Sequence, residues 1–171
     1  MNPRSLVSFV LMFISFLLLQ ILFVQQISLF GYAFCFVYVA CILFLPFDIS
    51  QINLLLLGFL AGILIDVFSE TLGMHAAATT LMAYCRPMII RLLTPQRGYE
   101  ERMDISLNTM EIQWMLAYIG TLTFIHHCTL FILEASNWSL FFGVLGKTIA
   151  STIFTVFVLI VYLYIRKSKR N

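Results

Sequence analysis

Six apolar runs, at residues 5–24, 30–45, 52–69, 72–93, 111–133 and 138–165, fill almost the whole chain. Crossing a hydrocarbon core of roughly 30 Å takes about 20 helical residues, and most of these runs are of that order. They are separated by brief polar breaks: Gln25-Gln26, Pro46-Phe47-Asp48, Glu70-Thr71, the stretch 94–110, and Glu134-Ala135-Ser136-Asn137. With 61% apolar and only 11% charged residues, and a mean hydropathy of +0.98, the chain lacks a stretch long enough for a separate aqueous domain. The expectation is one all-α integral membrane domain over 1–171 with about six transmembrane helices. Several runs are rich in β-branched and aromatic residues, but a chain this short lacks the alternating segments of a closed barrel. The second run is short and Arg86-Pro87 interrupts the fourth, so either is open to tilting, kinking or an interfacial position. The first run follows Arg4, as a signal peptide would, but it is too long for one and Phe23-Val24-Gln25-Gln26 offers no small-residue cleavage site.

Orientation follows from the basic residues, which are retained in cytoplasmic loops. In a six-span arrangement Arg4, Arg86, Arg91, Arg97, Arg102, Arg166, Lys167, Lys169 and Arg170 all fall on one side. Both termini are therefore expected inside the cell, with a cytoplasmic loop at 94–110 and a basic cytoplasmic tail at 166–171. The loop mixes both signs and reads as a solvated connector or a docking segment; the tail suits anionic headgroups. The tenth basic residue, Lys147, falls within the last run.

Two features stand out inside the runs. Gly58, Gly62, Asp66, Ser69 and Gly73 advance by four, four, three and four, which keeps them on one face while a helix lasts. A small-residue face of this kind supports close helix approach, either to a partner's membrane helix or within the chain. Asp66 itself is a carboxylate inside a span, which needs a partner, hydration or neutralisation. Counting from the span ends places Asp66, Lys147, His126 and His127 at similar depths, so they are expected to form a buried polar cluster. Adjacent histidines lie ~100° apart on a helix, so one of the two is expected to face it. Such a cluster would specify packing, or line a path for protons or a ligand.

Enzymatic patterns are missing. There is no HExxH, and adjacent histidines chelate poorly; no GxSxG occurs; Glu100-Glu101 lies in a polar loop without the spacing of an intramembrane protease; no phosphate-cradling glycine loop is present. Cys35, Cys41, Cys85 and Cys128 lie inside apolar runs without CxxC spacing and read as small packing residues. The expectation is a protein that binds rather than catalyses, without a cofactor, metal or nucleic acid.

The run Gly58-xxx-Gly62-xxx-Asp66-xx-Ser69-xxx-Gly73, followed by Met74-His75-Ala76-Ala77-Ala78-Thr79-Thr80 and Tyr84-Cys85-Arg86-Pro87, resembles the rod shape-determining protein MreD family. Chain length, number of runs and the basic tail agree with that resemblance; its specific motif covers residues 58–87. The resemblance implies a non-enzymatic scaffold in the bacterial inner membrane. Its partners would be an MreC-like bitopic membrane protein and, indirectly, an MreB-like filament and a RodA-like glycosyltransferase with its transpeptidase. It also implies likeness in fold to the vitamin-binding S components of energy-coupling-factor transporters, which supplies the alternative function. The first run, with neither Ala nor Gly, lacks the small-residue face those components usually carry there.

Overall fold

The computed structural model describes residues 3–94, 105–135 and 141–168. Arg97, Arg102, Glu100-Glu101, Trp138, Lys169 and Arg170 lie outside the described residues, as does most of the expected cytoplasmic loop. The chain is predominantly helical. In order come α1 (Pro3–Leu22), a two-stranded antiparallel hairpin of β1 (Ser28–Leu29) and β2 (Ala33–Phe34), the single turn α2 (Ala40–Leu43), and the long helices α3 (Gln51–Ser69), α4 (Met74–Leu92), α5 (Ile112–Glu134) and α6 (Phe141–Ser168). Three of these, α3, α5 and α6, are long and apolar enough to cross a membrane. The apolar part of α1, Val7–Leu22, is shorter. The 19 residues of α4 run uninterrupted through Pro87 and bury His75, Thr79 and Arg86.

Polarity is distributed as lipid demands. Leu11, Leu22, Ile52, Val67, Phe157 and Ile165 are exposed, whereas Asp66, His75, Arg86, His126, His127, Ser151 and Thr155 are buried. A water-soluble domain of this size would reverse that arrangement.

The second run departs from the expected transmembrane helix. After a 3₁₀ turn at Val24–Gln26 the chain enters the hairpin, whose tip holds Phe30 and Gly31 at positive φ (55° and 67°) and is closed by Tyr32 N–H donating to Leu29 C=O at 3.1 Å. It continues through a 3₁₀ turn at Val37–Val39 into α2, and Tyr38 to Leu43 have no exposed surface at all. Along α6 this segment touches Gly143 through Tyr32, Ser151 through Phe34, Thr155 through Phe36 and Tyr162 through Phe44. Nineteen helical residues separate Gly143 from Tyr162, so the segment crosses about 28 Å of the bundle. It crosses as mixed extended and helical backbone because from Ala33 to Leu45 it is buried or half-buried inside the protein, while the Ser28–Tyr32 tip is exposed. Irregular backbone at membrane depth is tolerated only where protein or water satisfies it. Its composition, Phe-Cys-Phe-Val-Tyr-Val, favours extended backbone over helix.

Contacts define two ends of the bundle. At one, Trp114 Nε1 donates to Leu93 C=O and Lys167 Nζ to Leu107 C=O, which brings together the end of α4, the start of α5 and the end of α6, with Arg91, Arg166 and Lys167. At the other end, Gln25 Nε2 donates to Phe68 C=O and Tyr32 reaches Gly143.

Candidate functional site

The five motif residues form one device, the α3–α4 hairpin. Gly58 lies against Ala83 and Thr79: a Cβ there would sit 3.0 Å from Ala83 Cβ and 3.2 Å from Thr79 O. Gly62 is tighter, since an added Cβ would run into Ala76 Cα and lie 2.5 Å from His75 O. The small-residue face is therefore consumed inside the chain, in close backbone approach between α3 and α4. One turn further on, Asp66 is buried and receives the first N–H groups of α4. Its Oδ1 accepts from His75 N at 3.0 Å and from the Thr71 hydroxyl at 2.5 Å, and its Oδ2 accepts from Ala76 N at 2.8 Å. Gly73, the residue that would normally cap α4, is left-handed (φ 83°) and has no side chain, so a carboxylate from the preceding helix does the capping. Glu70, also left-handed (φ 54°), turns the chain after Ser69, the last residue of α3.

Behind that cap lies a buried network built on Tyr38. Its hydroxyl meets His126 Nε2 at 2.6 Å, Thr79 Oγ1 at 3.0 Å and His75 Nδ1 at 3.1 Å. His126 Nδ1 lies 3.2 Å from His127 Nδ1, and His127 Nε2 lies 3.1 Å from Thr155 Oγ1, which also accepts from Phe36 N–H at 3.1 Å. All three histidines of the chain are thus joined. Counting donors assigns the protons. Thr79 donates its only hydroxyl proton to His75 C=O at 2.7 Å, so it accepts from Tyr38. Tyr38 then accepts from N–H groups of His75 Nδ1 and His126 Nε2. This leaves His126 Nδ1 bare to accept from His127 Nδ1–H, and His127 Nε2 bare to accept from the Thr155 hydroxyl. Three neutral histidines satisfy every contact in the chain of bonds. Burial of a net charge is avoided.

The expected cluster is thus corrected in two respects. His126 and His127 both belong to it, because two different partners, Tyr38 and Thr155, flank α5 on the ~100° arc the adjacent residues cover. Lys147 does not belong: its Nζ bonds Glu134 Oε2 at 2.7 Å and lies over the rings of Phe131 (4.3 Å) and Phe34 (4.7 Å). A flexible lysine six residues into α6 reaches back toward the helix start, where Glu134 is exposed. Asp66 touches the network only through the His75 backbone.

A second buried polar group sits nearer the basic end. Arg86, which the charge pattern places beside a cytoplasmic loop, is instead enclosed six residues before the end of α4. Its Nε donates to the Tyr118 hydroxyl at 2.7 Å, and one terminal nitrogen donates to Leu45 C=O at 2.5 Å and Pro46 C=O at 3.3 Å. Tyr118 in turn donates to Leu43 C=O at 2.8 Å. The guanidinium thereby satisfies two carbonyls just beyond the C-terminus of α2, and Tyr118 satisfies the last carbonyl of α2 itself.

Sequence reasoning missed Tyr38, His75, Arg86 and the hydroxyl pair Ser151/Thr155 as members of these networks. The signal for the last was present: Ser151 and Thr155 are one turn apart on an apolar helix, matching the ~6.6 Å between alternate N–H groups of an extended strand. Among the described residues, no group of three or more His, Cys, Asp or Glu side chains is placed to hold a metal ion. Neither protein-family models, curated proteins nor solved structures give a match to this chain.

Proposed function

We propose that this chain is a non-enzymatic scaffold subunit of the machinery for cell shape and peptidoglycan elongation, seated in the bacterial inner membrane and binding an MreC-like bitopic partner. The observation that carries the reading is the α3–α4 hairpin. Gly58, Gly62, Asp66 and Gly73, the residues on which the resemblance to the MreD family rests, make one physical unit of glycine contacts and a carboxylate cap. The polar groups of the Tyr38 and Arg86 networks bond to the chain's own backbone and to one another, an arrangement suited to holding a shape for others to bind.

Basic residues at one end of the bundle favour an orientation with both termini in the cytoplasm. Because Gly58 and Gly62 face α4, the partner would bind a lipid-exposed face of the bundle. A vitamin-binding cavity between the helices, as in an energy-coupling-factor S component, would have to displace the fully buried Tyr38–Leu43 segment.

Depletion in the native host, together with purification of a tagged copy, tests the proposal. Loss of rod shape and recovery of an MreC-like protein are expected. Normal morphology with no cell-wall synthesis protein recovered would overturn it.

A further inference from the structure

Near the basic end, α1 and α3 flank an open groove of about 680 Å³. Its walls are Phe9, Phe13 and Ile14 of α1 and Leu56 and Leu57 of α3, and its floor is Leu45-Pro46. One rim alone is polar, formed by Asp48, Ser50 and Asn53 at the start of α3. We propose that this groove binds an aminophospholipid, with its primary ammonium on Asp48 and an acyl chain between α1 and α3, a site independent of the proposed scaffold role.

Two observations select this occupant. The volume lies within the ~300–1,000 Å³ of single small-molecule sites. The layering matches one lipid: hydrogen-bonding groups sit where a helix of the bundle begins, at headgroup level, and the walls above them are apolar.

Charge then chooses the headgroup. Among the described residues Asp48 is the one ionisable group lining the groove, it is exposed, and no ion pair engages it. A carboxylate repels anionic headgroups and attracts an ammonium, and a primary ammonium also donates hydrogen bonds. Asn53 and the Ser50 hydroxyl are placed to face the phosphodiester. The Ser50 oxygen already accepts from Asn53 N at 3.3 Å, which leaves its proton free to donate.

The test is native mass spectrometry of the full chain released from nanodiscs of equimolar phosphatidylethanolamine and phosphatidylglycerol. Retention of one phosphatidylethanolamine in preference to phosphatidylglycerol is expected. Asp48→Asn should reduce that preference roughly twofold to fivefold, the scale of a single exposed ion pair. Leu57→Trp should abolish retention of either lipid, while the same change at Phe157, on the exposed face of α6, should leave retention intact and so controls for folding. Equal retention of the two lipids by the parent chain, an unchanged preference in Asp48→Asn, or a copurifying partner helix crosslinked at Leu57 in place of lipid would each overturn the proposal.

Discussion

The α3–α4 hairpin and the Ser28–Leu45 segment are both apolar in sequence and both belong to the helical bundle, yet they solve the backbone problem in opposite ways. In the hairpin every interior N–H bonds within its own helix, so the helices need only approach, and Gly58 and Gly62 allow that approach to the point of backbone contact. The Ser28–Leu45 segment forgoes helical bonds over much of its length and borrows partners from its neighbours: Ser151 and Thr155 for its N–H groups, and Gln20, Tyr118 and Arg86 for its carbonyls. Hydropathy reports partitioning into lipid and is blind to this distinction. A run that is covered by protein on all sides is free to be irregular provided its neighbours carry the missing donors and acceptors.

The hairpin's dependence on glycine gives the largest expected effect. Gly62→Ala places a methyl group against α4 backbone, which has no rotamer with which to yield, so the helices must separate; a loss of about 3 kcal/mol is expected. Gly120 in α5 supplies the contrast, because a Cβ there meets nothing within 4 Å. Gly120→Ala should be neutral or stabilising by up to ~1 kcal/mol through helix propensity. Thermal denaturation of the two variants in the same detergent separates these outcomes. Equal behaviour would mean that α3 and α4 are not held at backbone contact.

Arg86 probes the irregular segment at its lower end. Arg86→Met leaves Leu45 C=O without its donor inside the protein, at an expected cost of about 2–3 kcal/mol. Arg86→Lys should recover only part of this, since an ammonium cannot hold Tyr118 and two carbonyls in the fixed geometry of the guanidinium fork. The denaturation midpoint of the lysine variant is therefore expected between those of the methionine variant and the parent. If lysine restored full stability, the charge alone would matter and the bridging geometry would be irrelevant.

How far the sequence could be read follows the same division. The positions of α1 and α3 to α6 are legible because a regular helix that faces lipid on one side needs a long apolar run and polar ends. The glycine spacing located the α3–α4 contact, though it left open whether the opposing helix was the chain's own. The course of residues 28–45 was not legible, since its fold depends on hydroxyls more than a hundred positions away on α6. Asp66 stood out as a costly buried carboxylate, but besides the Thr71 hydroxyl its partners are backbone N–H groups of α4, and no side-chain pattern announces those. Pairing by depth misplaced Lys147 because a lysine's ammonium sits well away from its Cα, and here it turns back to Glu134 at the end of α5.

The smallest expected effect is the most direct measure of the difference between the two regions. Ser151→Ala removes the one hydroxyl that accepts from Phe34 N–H at 2.9 Å and leaves α6 itself intact, because serine and alanine are both tolerated in a helix. The global loss should be modest, about 1 kcal/mol, since a single neutral hydrogen bond is removed and Phe34 is only half-buried. The local consequence is sharper: amide exchange at Phe34 should accelerate while exchange along α3 and α4 stays unchanged. Ser151→Thr, which keeps the acceptor, should restore protection. If exchange at Phe34 were indifferent to Ser151, the hairpin strand would be held by its own pairing with β1, and the idea that α6 supplies the missing partner would fail at the point where it is most easily examined.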